Sequence, residues 1–323
     1  MRYAVLIVAL VGIPISGCSK KKPTQTQITL EGVLPSSLAG KGDFITYLVE
    51  DSLYRVEAKV GESPVNLSAR LPGHGEEETP AVSRNGRYVT ITTNRFSPCE
   101  SWSCVFLFSN KFASVETINV EAEPLRAKGR VAVSNEGTKL VYENEGGPHD
   151  TDLFIVTRER EGWSRPSLLT QSSKYAYHRL PVLNQEGSRV VFDCSNDPYS
   201  QNDSHICEID LDSRDQTVVA SQGPKHSVHH ADYLKGKGFV YEGDKEGEVL
   251  WVGSGKQTKK LSEKHDNDNS PCVLPSGKIA SLWLGRPGGA GVHEIKVTGP
   301  KGANPFVLGK GMDVSDIGMS CHE

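Results

Sequence analysis

Hydrophobic and polar positions recur along this chain in one order: an apolar stretch, a polar turn ending in glycine, and a second apolar stretch. The clearest copies are TPAVSRNGRYVTIT at 79–92, VAVSNEGTKLVY at 131–142 and LPVLNQEGSRVVF at 180–192. Weaker copies are ADYLKGKGFVY at 231–241 and SPCVLPSGKIA at 270–280, and GDFITY at 42–47 is a reduced one. Short apolar runs bounded by turn residues read as strands, and glycine supplies the positive φ of the turn between them. Another apolar run follows each copy: LYRV at 53–56, VFLF at 105–108, LFIV at 153–156, ICEI at 206–209, VLWV at 249–252 and VHEI at 292–295. A shorter strand-like piece comes after each. No stretch keeps a helical period over three turns.

The marking glycines Gly42, Gly86, Gly137, Gly187, Gly236 and Gly277 stand about 40 to 50 residues apart. Four strands per unit at that period predict an all-β fold, a six-bladed β-propeller of four-stranded antiparallel blades. The shared pattern P-x-x-S/N-x-x-G, two residues, then an apolar strand, resembles the repeat of TolB-type periplasmic propellers. The resemblance covers nearly all of 43–308. The aspartate usual before the turn glycine is replaced by Asn85, Glu136, Glu186 and Ser276. No separate amino-terminal α/β domain such as TolB carries is seen. The resemblance therefore implies the fold more directly than it implies TolB's function.

The amino terminus follows a different rule. Arg2 precedes the apolar run AVLIVALV at 4–11, which is too short for a permanent transmembrane helix and fits a secretory signal. Ile15-Ser16-Gly17-Cys18 then resembles the lipobox of bacterial lipoproteins. That resemblance implies cleavage after residue 17, a lipid on Cys18, and membrane attachment through it. Ser19 follows rather than aspartate. The expected location is the cell envelope: the outer membrane facing the periplasm in a Gram-negative cell, or otherwise the cell surface. Residues 18–27 include Lys20, Lys21, Lys22 and Pro23 but no apolar period, so they read as a flexible tether of roughly 30 Å. The expected organisation is a signal at 1–17, a tether at 18–27, the propeller at 28–311, and a tail at 312–323 that closes or plugs the ring.

Composition agrees with export. The chain has 36 basic and 40 acidic residues, a net charge of −4, and no basic patch, which argues against nucleic acid. With Cys18 taken by lipid, six of seven cysteines remain, and an even number in an oxidising compartment favours disulfides. Local spacing pairs Cys99 with Cys104 in one hairpin and Cys194 with Cys207 across a loop. Cys272 and Cys321 are left to tie the tail to the last repeat.

Candidate chemistry is sparse. Segments entering each blade's first strand usually line a propeller's mouth, and His74, His178, His226, His229, His230 and His265 fall there. Imidazoles with nearby carboxylates suit a divalent transition metal, with His178, His229, His230 and His265 as the first candidates. Asp266 to Ser270 lack the later glycine and glutamate of a calcium loop. There is no G-x-S-x-G elbow, and GSGK at 253–256 lacks the upstream glycine of a phosphate loop. Tyr142, Phe192, Tyr241 and Trp283 fall on strands and read as packing between blades. The leading expectation is a non-enzymatic, lipid-anchored envelope scaffold that needs no cofactor and docks a protein or peptide partner. The alternative is a metal-dependent lyase or hydrolase acting on acidic glycans at the channel mouth. A third reading, a spacer of other envelope components, has no residue signature of its own.

Overall fold

The computed structural model describes residues 27–30, 32–35, 38, 40–109, 111–197, 203–245, 249–254, 257–262, 268–283, 293–299, 304–308, 314 and 319–323. Cys18 and His265 lie outside them. Antiparallel sheets form six blades. In blades 2 to 6 a glycine turn joins the first two strands, whereas Gly42, expected as the marking glycine of blade 1, joins no such pair because the inner strand there comes from the other end of the chain. Blade 2 starts with Glu77–Val82 and Val89–Thr93, joined by the turn at Gly86. Blade 3 starts with Val131–Val133 and Lys139–Asn144, and blade 4 with Tyr177–Leu183 and Arg189–Ser195. Blade 5 starts with Val228–Tyr233 and Phe239–Gly243, and blade 6 with Asp268–Val273 and Ile279–Trp283.

The turn signature has a visible cause. Gly86 adopts φ +66°, and its N–H reaches the Ser83 carbonyl at 2.8 Å. The Ser83 hydroxyl accepts from the Tyr88 N–H at 3.0 Å, so the serine caps its own turn. Asn184 does the same in blade 4, accepting from Ser188 and Arg189. At Gly137 (φ +65°) a β-carbon would lie 2.4 Å from the Tyr88 ring of the neighbouring blade. Glycine there is needed for close approach as well as for its dihedral.

Six apolar clusters, one at each seam between adjacent blades, form the core. Strand periodicity divides the side chains: Val190, Phe192 and Cys194 face blade 3, and Val191 faces blade 5. Tyr142, Phe192 and Tyr241 are buried in these seams. Second strands covered on both faces read as unbroken apolar runs.

Blade 1 mixes the two ends of the chain. Its inner strand is Ser320–His322, paired with Phe44–Val49, and Ser52–Glu57 and Val65–Asn66 lie outside. Closing the ring with a strand from the far end stitches the last repeat to the first. Cys272–Cys321 reinforces that closure, while Cys99–Cys104 and Cys194–Cys207 lie within blades 2 and 4. Two features depart from simple four-stranded blades. Gln27–Thr29 pairs with Ser114–Thr117 as a fifth strand of blade 2, so Gln27, expected in the tether, is part of a blade. In blade 3, Gly162–Trp163 and Ser167–Leu168 both pair with Asp152–Glu159. No helix among the described residues is long and apolar enough to cross a membrane.

Candidate functional site: a barred channel and its funnel

The inner strands line a central channel. In blades 2, 4, 5 and 6 the inner strand carries a bulge, at Thr79, Leu180, His230 and Ser270, each with positive φ. A bulge turns an N–H out of the ladder, and carboxylates of the preceding blade collect it. The His230 N–H donates to Asp193 at 3.1 Å and the Ser270 N–H to Glu242 at 3.3 Å. Glu143 accepts from the Arg130 N–H at 2.9 Å and from Leu180. Burial dominates at Glu143 and pushes its carboxyl up to about 7. At Glu242 burial also pushes up, but the His230 hydrogen bond and charge outweigh it and hold the carboxyl below its usual range. These acids pin one blade to the next.

The channel is barred. Arg84, on the turn of blade 2, reaches the opposite side of the ring and makes a two-pronged ion pair with Asp232 on the inner strand of blade 5. Asp232 is held in place by the N–H groups of Tyr233 at 2.9 Å and Val273 at 2.7 Å. Arg130 of blade 3 donates to Ser320 Oγ at 2.5 Å and to the Met319 carbonyl at 3.2 Å, at the closing strand of blade 1. Only about 40 Å³ remains between the inner strands, room for little more than one water.

Below the bar, at the end where the glycine turns lie, the channel widens into a funnel of about 790 Å³. Tyr233, Phe239 and Leu234 give it an apolar side; Lys235 and Lys237 supply positive charge, Glu186 and Glu323 negative charge, and Arg189 pairs with Glu208 and Asp210. The Tyr233 and Phe239 rings sit 5.2 Å apart. The Tyr233 hydroxyl donates to Glu208 at 3.0 Å. Asn85 donates to the Asn135 carbonyl at 2.9 Å and Asn135 to that of Gln185 at 2.8 Å, which holds neighbouring turns in register around the rim. The histidines mark the strand-entry end as the expected site, whereas the large cavity opens at the turn end. Charged and glycine-rich turns carry no apolar period, so nothing in the pattern announced it.

The histidines distribute differently from a converging ring. His178 is fully buried at the seam of blades 3 and 4, where Nδ1 donates to the Thr151 carbonyl and Nε2 accepts from Ser173 Oγ, both at 2.7 Å. Burial pushes its ring down to about 4, so it is neutral. His229 and His230 sit at the next seam, beside Asp193 at 3.5 Å and Glu242 at 3.0 Å. His74 is exposed, and His226 lies 3.3 Å from Asp244. Among the described residues, one group with metal-ligand chemistry stands out: His149, Asp152 and His178, with one donor atom from each within 4.8 Å of the others. His149 and Asp152 were not singled out from sequence. Their local i,i+3 spacing is legible there, but the approach of His178 depends on blade packing. Asp152 already accepts from Thr170, the His149 N–H and the His149 ring. Burial raises its carboxyl, but these hydrogen bonds outweigh burial and hold it below the usual range.

Solved structures share this arrangement. TolB from Acinetobacter baumannii superposes with a TM-score of 0.64 at 11% identity, over 87% of this chain and 66% of that one. The fold is that of a TolB-type β-propeller. A structure of the nidogen/laminin complex matches this TolB-type ring at TM-score 0.59 and 9% identity, covering 87% of this chain and 99% of that chain. An oligogalacturonate lyase in complex with manganese matches at 0.52 and 13%, covering 88% and 83%. The sequence matches no family model and no curated protein sequence. The chain spans about two thirds of the Acinetobacter TolB chain.

Proposed function

We propose that this chain is a lipid-anchored binding module of the bacterial envelope whose funnel receives a peptide or loop of a protein partner. The observation that carries the reading is the blind shape of the cavity. About 790 Å³ opens at the turn face, and the Arg84–Asp232 bar stops whatever enters. Such a cavity admits a short segment without threading it. The Tyr233–Phe239 pair offers an aromatic anchor, and Lys235 and Lys237 favour acidic residues beside it. The TolB and nidogen/laminin likenesses support a partner-docking propeller as analogy of fold. The lipid at Cys18 would keep this surface near the membrane. In a native membrane extract the anchored protein is expected to co-purify a partner, and the rim variant K235E/K237E to lose it with Tm unchanged. Retention of the same partner by that variant would contradict docking in the funnel.

A second reading, a metal-dependent lyase or hydrolase acting on acidic glycans, has the His149–Asp152–His178 group and the manganese-bound lyase likeness behind it. The donor types fit a divalent ion, but Asp152 and both His178 nitrogens already have hydrogen-bond partners. A divalent ion bound there would supply a Lewis acid, with His149 as the one partly exposed ligand and Asp152 and His178 fully buried. Elemental analysis of the purified chain separates the readings. About one equivalent of manganese or zinc, lost in H149A, favours the enzyme, and none favours the docking module.

A further inference from the structure

Arg55 is the largest fully buried side chain of the molecule. It lies on the third strand of blade 1, opposite Thr46, and faces the seam with blade 2 alongside Leu53. None of its three guanidinium nitrogens has a hydrogen-bond partner. The face of the Phe44 ring lies 4.4 Å from the guanidinium, and no carboxylate among the described residues pairs with it. Neighbouring groups do not replace one. Thr46 Oγ1 and His322 Nε2 satisfy each other at 2.9 Å, and the nearby Lys111 ammonium is repelled by Arg55. Burial lowers the guanidinium only to about 9, so it stays charged at neutral pH.

An isolated buried cation is among the most costly arrangements in a protein, far worse than an apolar side chain of the same shape. A guanidinium at a sealed seam, with five donors free, therefore calls for a counter-charge of small size. We propose that Arg55 holds a small inorganic anion, chloride or one of like size, at the seam of blades 1 and 2. The site sits beside the strand Ser320–His322 that closes the ring, so the anion would stabilise closure. Because Arg55 is fully buried, the occupant proposed is a small ion rather than a peptide carboxylate or a large oxyanion.

The test uses the full chain, melted in sodium chloride and in sodium gluconate at equal ionic strength. Tm is expected to rise by about 3 °C in chloride at ten times its Kd. That rise should vanish in R55M, whose Tm is the same in both salts. Crystals grown in sodium bromide should show an anomalous peak in contact with the guanidinium. Equal wild-type melting in the two salts overturns the proposal, as does a water or a backbone carbonyl at the guanidinium in the bromide crystals. A bromide peak without any Tm dependence would mark an adventitious ion only, and also overturns it. Should R55M fail to fold, the wild-type salt comparison and the bromide peak decide the matter.

Discussion

Two seams of the ring treat buried polar groups in opposite ways. Between blades 3 and 4, Asp152 joins Thr170, His149 and the neighbourhood of His178, and Thr170 also accepts from the Leu153 N–H at 3.1 Å. Between blades 1 and 2 the same latch exists in altered form: Ser68 accepts from the Leu53 N–H at 2.8 Å and donates to Glu77, which pairs with Arg95. At the other end of that second seam, Arg55 stands without a partner. A propeller seam thus tolerates charge where a short latch of serine or threonine and a carboxylate can form. Where no latch forms, the charge must be met from outside the chain. The buried group with partners should be costly to remove, and the one without partners cheap or even favourable to remove.

The largest effect is expected at Asp152. D152A strands the His149 ring, the Thr170 hydroxyl and the His149 N–H, and should cost about 3 to 5 kcal/mol, read as a drop in urea midpoint at constant m. A cost under about 1 kcal/mol would show that the latch is ornamental. Next comes ring closure. C272S/C321S should lose on the order of 2–4 kcal/mol, with chain ends detected early by limited proteolysis. Unfolding that begins elsewhere would place the weakest seam away from blade 1.

Smaller effects sharpen the comparison through pH. Glu143 has a raised folded pKa, so the native state holds a proton that the unfolded state releases. Its contribution to stability therefore falls as pH rises from the ordinary glutamate value to about 7. His178 has a lowered folded pKa, and its contribution is lost as pH falls from 6.5 to about 4. E143Q should flatten the upper part of the Tm–pH curve, and H178Q the lower part. Curves parallel to wild type would mean that neither group is buried as described. The smallest effect is expected from R55M in gluconate: little or no loss of Tm, because a volume-matched apolar side chain removes an unmet charge.

Much of the ring was legible because its causes are local. Ser83, Asn184, Gly86 and Gly137 act within their own turns, and the alternation through 189–195 follows strand geometry alone. Cys99–Cys104 and Cys194–Cys207 follow from proximity along the chain once the compartment is granted, and Cys272–Cys321, 49 positions apart, follows by elimination. The closing strand is three residues long, too short for a pattern, and its partner stands 276 positions away where His322 meets Thr46. Arg55 stands inside the apolar run LYRV at 53–56, and its burial follows from a strand covered on both faces, which only blade packing supplies. The funnel has no local signature because the turns of five blades and residues 321–323 make it jointly, and no single turn carries its shape. Chain position and ligand chemistry together do not tell a neutral buried ring such as His178 from a free ligand, because both its nitrogens are taken by partners that only the fold brings to it.

The central claim is that a partner enters the funnel, and site-specific photo-crosslinking tests it most directly. A photoreactive residue placed at Lys237, on the funnel wall, is compared in the anchored protein with one at Val218, 44% exposed on the outer strand of blade 4. The account predicts one discrete adduct from position 237 and none from 218. The same adduct from both positions, or from 218 alone, would contradict it and move the binding surface to the outer wall of the ring.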